Sequence, residues 1–187
     1  MLLPASTQGG RGRLGPCLNN LKQINIAFIM YAADNAGKFP MDFTATNGNM
    51  IKSVGNGNVS PIIQKLSPYF GRNPAILICP SDVDRQATNT FEQLTDLNIS
   101  YFIHADALAN NSKFSILAGD RNLEAANQPV KPGLFILTTN VYMWWTDSLH
   151  KRRGCLGFAD GHAQLVGTNL NSIIQNQPLA INRLCVP

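Results

Sequence analysis

An α+β fold, with an N-terminal helix packed on a mostly antiparallel β-sheet, is what this 187-residue sequence predicts. Three observations carry that expectation. Leu18, Leu21, Ile24, Phe28 and Tyr31 recur at three- and four-residue steps, the signature of one helix face. Beyond residue 75 the apolar runs are short, β-rich and bounded by Pro, Asn, Asp or Gly. Near the C-terminal end, Asp160-Gly161 separates two such runs, as a hairpin turn does.

Residues 6–16 carry glycines at 9, 10, 12 and 15 and no periodicity, so residues 1–16 read as a linker ahead of a globular unit over 17–187. The helical stripe predicts a helix over 17–35, with Asn35 and Gly37 as the stop and Pro40 just beyond. Residues 41–59, rich in Asn and Gly, read as loop. Ser60 is a good N-cap with Pro61 behind it, where the missing N–H costs nothing, so a second helix runs from Ser60 towards Gly71. Residues 75–79, 99–103, 114–118 and 134–138 read as strands. Residues 156–159 and 162–166 form the hairpin, with Asp160-Gly161 as a two-residue turn, and 169–176 a last short helix.

Hydrophobic residues make up 44% of the chain and charged residues 14%, the balance of a globular protein long enough to bury a core. The net charge of +4 comes mostly from Lys151, Arg152 and Arg153, a short run of the kind found in solvated loops, and no nucleic-acid partner is expected. No stretch reaches the roughly 18 apolar residues of a spanning helix. Cys17, Cys79, Cys155 and Cys185 include no C-x-x-C pair, which argues against a zinc ribbon or a thioredoxin-like site. Disulfides in an oxidising compartment and buried thiols in the cytosol both remain open.

Several segments together resemble a known family. They are Cys17-Leu18-Asn19-Asn20-Leu21-Lys22-Gln23-Ile24, then Met30-Tyr31-Ala32-Ala33-Asp34-Asn35 with Gly37-Lys38-Phe39-Pro40, and Leu77-Ile78-Cys79-Pro80-Ser81-Asp82. The last is His150, nine residues, then Asp160-Gly161 with His162 after it. In this order they resemble the prepilin-type, type II secretion pseudopilin-like proteins with a C-terminal H-X9-DG domain, over about residues 17–166. The resemblance implies a pilin-like fold and a non-catalytic subunit of a type II secretion or type IV pilus-like assembly. Its partners would be other pseudopilins or secretion-system components. Its place would be the cell envelope, the head being held at the membrane by an N-terminal helix that relatives carry ahead of a Leu-Leu-Pro-Ala segment. Met1-Leu2-Leu3-Pro4-Ala5 matches that segment, so the leader and most of the membrane helix are expected to be missing from this sequence. The resemblance also implies a Cys17–Cys79 disulfide clamping the first helix to the sheet, worth about 4 kcal/mol in the chain-entropy picture. Cys155 and Cys185 are left open, paired or not.

His150, Asp160 and His162, with Asp120 of Gly119-Asp120-Arg121-Asn122, are donor types that hold divalent cations. A His150–Asp160 hydrogen bond pinning the loop onto the hairpin explains the spacing without a ligand. His150, Asp160, Gly161 and His162 are therefore expected to be a structural motif, with no catalytic residue, metal or cofactor. Trp144-Trp145 is expected in the core. The rival reading is a secreted module binding metal or carbohydrate on the same kind of scaffold.

Overall fold

A computed structural model describes residues 14–42, 48–109, 113–138, 141–167, 170–177 and 182–187. Its first helix, α1 (Leu14–Asp34), buries Leu14, Cys17, Leu21, Ile24, Ala27, Phe28 and Ala32, the face that the periodicity predicts. It ends where Asn35 Nδ2 donates to the Tyr31 carbonyl at 2.8 Å. There Gly37, at φ 72°, turns its N–H onto the Ala32 carbonyl at 2.8 Å. The helix starts earlier than expected. Gly15 and Pro16, assigned to the linker, form its first turn, where Pro's missing N–H has no helical partner to lose.

Two further elements correct the expectations. Gly48–Gly55, within the expected loop, is a helix (α2) whose Val54 is fully buried; residues 43–47 lie outside the described residues. α3 (Ser60–Leu66) forms as predicted but is followed by a separate 3-10 turn at Ser67–Tyr69. Its cap is not the Ser60 hydroxyl. The Asp96 carboxylate accepts from the Val59 N–H at 3.2 Å and the Ser60 N–H at 2.7 Å, so a distant residue satisfies the orphan donors. Residues 75–79 are not a strand: Pro74–Leu77 is a 3-10 turn, begun by Asn73 Oδ1 accepting from the Ala75 N–H.

The strands are β1 (Tyr101–His104), β2 (Ile116–Asp120), β3 (Leu123–Ala125), β4 (Gln128–Pro129), β5 (Gly133–Leu137), β6 (Met143–Trp145), β7 (Gly154–Phe158), β8 (Ala163–Val166) and β9 (Asn182–Val186). Among the described residues, a six-stranded sheet runs β5-β9-β1-β2-β7-β8, antiparallel throughout, and a smaller sheet runs β4-β3-β6. The α+β class and the antiparallel sheet agree with the sequence reading. β3, β4, β6 and β9 fall outside the strands that the sequence predicts. α4 (Asn171–Gln175) falls inside the short helix expected at 169–176.

The large sheet is covered on both sides. Tyr101, Ile103, Cys155 and Cys185 face a core shared with α1 and α3. Phe102, Leu156, Phe158 and Leu184 face a second core with Met143, Trp145 and Ile174. All five residues of β7 are buried. Trp145 is in that second core as expected, while Trp144 on the other face of β6 is partly exposed.

β7 and β8 form the predicted hairpin, with a different turn. Pairing ends at Gly157–Ala163, Phe158 N–H donates to the His162 carbonyl, and Gly161 N–H donates to the Phe158 carbonyl. Gly161 takes a positive φ of 94° and Asp160 does not, which makes this a three-residue loop closed by a left-handed glycine.

This hairpin is held by α1. Asn25, fully buried, donates from Nδ2 to the His162 carbonyl at 2.9 Å. Its amide lies so flat on β7 that a Cβ on Gly157 would sit 2.5 Å from both terminal atoms. Gly157→Ala should therefore destabilise the protein by about 2 kcal/mol in urea unfolding, through overpacking. Asn25→Ala in the same chain removes the obstructing group, so the double variant should lose less than the sum of the two single losses. Strict additivity would show that the amide is not what excludes a side chain at 157.

Candidate functional site: a buried thiol, imidazole and carboxylate cluster

Where α1 meets the sheet, four segments converge on one point. Cys17 comes from the first turns of α1, and Cys79 follows the 3-10 turn at Pro74–Leu77. Asp120 ends β2, and His150 lies in the connection from β6 to β7. One ligand-type atom from each of Cys17, Cys79 and His150 falls within 4.8 Å of the others, all three buried. His150 Nε2 is 3.2 Å from Cys79 Sγ and 3.5 Å from Asp120 Oδ2. The Cys155 N–H donates to Asp120 Oδ2 at 2.7 Å, and the Ser81 N–H to Cys79 Sγ at 3.4 Å. Asp120 Oδ1 is buried without a hydrogen-bond partner. Cys17 and Cys79 are both free thiols here, side by side.

The surroundings are built from the same short motifs. Asp82 of the Cys79-Pro80-Ser81-Asp82 run accepts a two-pronged pair from Arg121, Nε to Oδ2 and Nη2 to Oδ1, each at 2.7 Å. Asn122 Nδ2 donates to the Thr146 carbonyl at 3.1 Å and to the Arg153 carbonyl at 3.3 Å, bracing the connection that carries His150. Asn20 Nδ2 on α1 donates to the Ile78 carbonyl at 3.0 Å and to Tyr101 Oη at 3.2 Å. Thus Gly119-Asp120-Arg121-Asn122 links the Cys79 loop, the His150 loop and β7.

Several expectations are corrected here. His150 does not pin the hairpin through Asp160; it turns inward to Cys79 and Asp120. Asp160 instead pairs with His162, Oδ1 lying 2.5 Å from Nδ1 and accepting the His162 N–H at 3.1 Å. The His162 ring stacks on Phe158 with centroids 4.3 Å apart. His150 and His162 therefore belong to different sites, and Asp120 joins His150 while Asp160 does not. Cys155 and Cys185 lie on β7 and β9, three sheet spacings apart. At about 4.8 Å per spacing that separation, roughly 14 Å, is beyond the reach of a disulfide. Cys185 Sγ instead faces the Val54 carbonyl at 3.8 Å.

The electrostatics follow from burial and crowding. The hydrogen bond from Cys17 pulls the Cys79 thiol down to about 5 against the effect of burial, helped by His150 and the Ser81 N–H. The same bond, with burial, drives Cys17 far upward, so it keeps its proton when Cys79 gives one up. Burial lifts Asp120 to about 7, and the Cys79 charge adds to this while His150 opposes it. Burial draws His150 down, but its bond to Cys79 and the charges of Asp120 and Cys79 outweigh that and raise it.

A thiol beside an imidazole is the beginning of a nucleophilic site. Such a relay needs one ring nitrogen for the nucleophile and the other for the orienting carboxylate. Here one nitrogen, Nε2, faces both, and Cys79 has no exposed surface. The arrangement is better described as a set of converging donors. As a class, the chain is an α+β protein whose first helix and sheet enclose a sealed cluster of two thiols, an imidazole and a carboxylate. No family model, curated protein or solved structure matches it. No helix among the described residues is long and apolar enough to cross a membrane.

The Asp82–Arg121 pair supplies a test of the bracing. Asp82 has a fully buried side chain. Burial would raise its carboxyl, but Arg121 more than reverses this and holds it below the ordinary 3.8. A lowered carboxyl stabilises the fold above its unfolded value and loses that contribution as pH falls through the folded one. Asp82→Asn should therefore cost about 3 kcal/mol at pH 7, because the half-buried Arg121 keeps only the exposed Asp84 carboxylate, at 3.2 Å. The gap between wild type and variant should narrow below pH 4 in pH-dependent urea unfolding. A gap that stays constant down to pH 2 would count against the pair as its source.

Proposed function

We infer that the protein is a structural, non-catalytic subunit of a pseudopilin-like assembly, its α1 serving as the spine on which neighbouring subunits pack. The observation that carries this reading is the outward face of α1. Asn19, Gln23, Ile26, Met30 and Ala33 line it at three- and four-residue steps, all exposed. Ile26 is 50% and Met30 47% exposed, an apolar pair one helical turn apart on the side that the sheet leaves free. A long helix with one face on a sheet and an apolar strip outward suits helix-against-helix packing in a filament. The motifs shared with prepilin-type proteins support the same reading. In that setting the protein sits in the cell envelope.

The test is photo-crosslinking in the producing cells, with the protein expressed from its own locus. A probe at Ile26 or Met30 should give adducts with another copy of the chain or with a prepilin-type protein, identified by mass spectrometry. A probe at exposed Tyr142, on the small-sheet side, should give few. Ile26→Asp and Met30→Asp lie at exposed sites and should change stability by no more than about 0.5 kcal/mol. They should nonetheless remove the adducts obtained from a probe at Gln23. Failure to find any chain-to-chain or chain-to-prepilin adduct would overturn the assembly role.

A further inference from the structure

We propose that Cys17, Cys79 and His150 bind a thiophilic divalent cation, with zinc as the representative ion, and that the Asp120 carboxylate is the fourth donor. Around a tetrahedral ion with bonds of about 2.0–2.3 Å, neighbouring donors lie roughly 3.3–3.8 Å apart. The observed separations are near those edges: 3.5 Å from His150 Nε2 to Asp120 Oδ2 falls among them, and 3.2 Å from Cys79 Sγ to His150 Nε2 is slightly shorter. Cys17 lies within 4.8 Å of both Cys79 and His150, and Asp120 meets the set at His150, so the Cys17 sulfur and the Asp120 carboxylate both move inward to complete it. Thiolate and imidazole are the ligand types that select zinc-like ions over magnesium or calcium.

A second observation points to a ligand independently. Asp120 has no exposed surface, and its Oδ1 has no hydrogen-bond partner. A buried carboxylate with an idle oxygen is costly, and a cation beside it removes that cost. The disulfide implied by the family resemblance competes for the same two sulfurs. It would occupy Cys17 and Cys79 but leave the idle oxygen of Asp120 as it is. A cation engages the sulfurs, the imidazole and the carboxylate together. Outer contacts are also in place: the Ser81 N–H on Cys79 and the Cys155 N–H on Asp120 fix ligand orientation as supporting groups in metal sites do. On binding, the ion displaces to solvent the protons still held by the sulfurs, the imidazole and the carboxylate, and no oxidant or reductant is involved. The cluster is independent of the assembly role, so a negative result here leaves that reading untouched.

The experiment uses the full chain, purified under reducing, oxygen-free conditions and stripped with chelator. Co2+ added as a probe should bind one ion per chain, giving the visible bands of a tetrahedral site and thiolate charge-transfer absorption, and Zn2+ should bleach both. Zinc should raise the melting temperature, reversibly with EDTA, and should protect two of the four thiols from a thiol reagent. Cys79→Ser and His150→Ala should abolish the cobalt spectrum, whereas Cys185→Ser, outside the cluster, should keep it. Thiol protection in the wild type keeps the proposal testable where a variant fails to fold. Octahedral cobalt bands, no protected thiols, or a Cys17–Cys79 crosslink in protein taken directly from cells would each overturn it.

Discussion

Asp120 is a carboxylate with no access to water at the junction of four chain segments, and the arrangement around it follows from that burial. Taking a carboxylate out of water costs several kcal/mol, and only converging donors and charges offset it. The Cys155 N–H and the His150 imidazole supply them, which places β7 and the β6–β7 connection. His150 in turn faces Cys79, and the Cys79 loop is held by Asp82 on Arg121, the residue next to Asp120. The motifs around Cys79, Asp120 and His150 are thus parts of one polar knot, although they lie far apart in the chain. Cys17 brings α1 into it.

A second constraint is that β1, β2 and β7 of the large sheet are buried on both faces. α1 and α3 cover one side, and the small sheet with α4 the other. Close approach on both sides leaves little room along β7. Beyond Gly157 under Asn25, a Cβ at Gly154 would lie 2.5 Å from the Trp145 ring, and one at Gly119 on β2 would lie 2.6 Å from Phe102 and Leu156. The glycines of Gly154-Cys155-Leu156-Gly157-Phe158 are packing positions, set where an aromatic ring on one side and a helix amide on the other come nearest.

That double burial also explains what is legible in the sequence. α1 is readable because one of its faces stays wet, so apolar and polar residues alternate at the helical period. β1 and β7, buried on both faces, show no two-residue alternation and read only as short apolar runs. The same ambiguity makes Pro74–Leu77 look like a strand when it is a 3-10 turn. β3, β4 and β6 are two or three residues long, too short for any pattern, and α2 is hidden by its Asn and Gly content. At the site, the ingredients are legible but not their pairing. His150, Asp120 and Cys79 all stand out in the sequence, yet spacing alone joins His150 to Asp160, ten positions on. The partner in the fold is Asp120, thirty residues back, and only the order of strands in the sheet brings it there.

The contacts along α1 show how a helix is held in one rotation about its axis. Apolar burial against the sheet favours docking but discriminates weakly between small rotations, because Leu, Ile and Phe contacts are non-directional. The polar contacts are directional. Asn20 reaches the Ile78 carbonyl and Tyr101, Asn25 reaches His162, and Asp34 accepts from Tyr69 Oη at 2.8 Å, marking points along most of the helix. A turn of the helix by one residue, about 100°, would break all of them at once. Burying Asn25, with one amide oxygen left unpartnered, costs stability that a leucine there would not. What it supplies is orientation: with α1 fixed in this rotation, Ile26 and Met30 face outward and Cys17 faces the cluster. On the proposed reading, in which the helix presents one strip to neighbouring subunits, a defined rotation matters more than the last increment of stability.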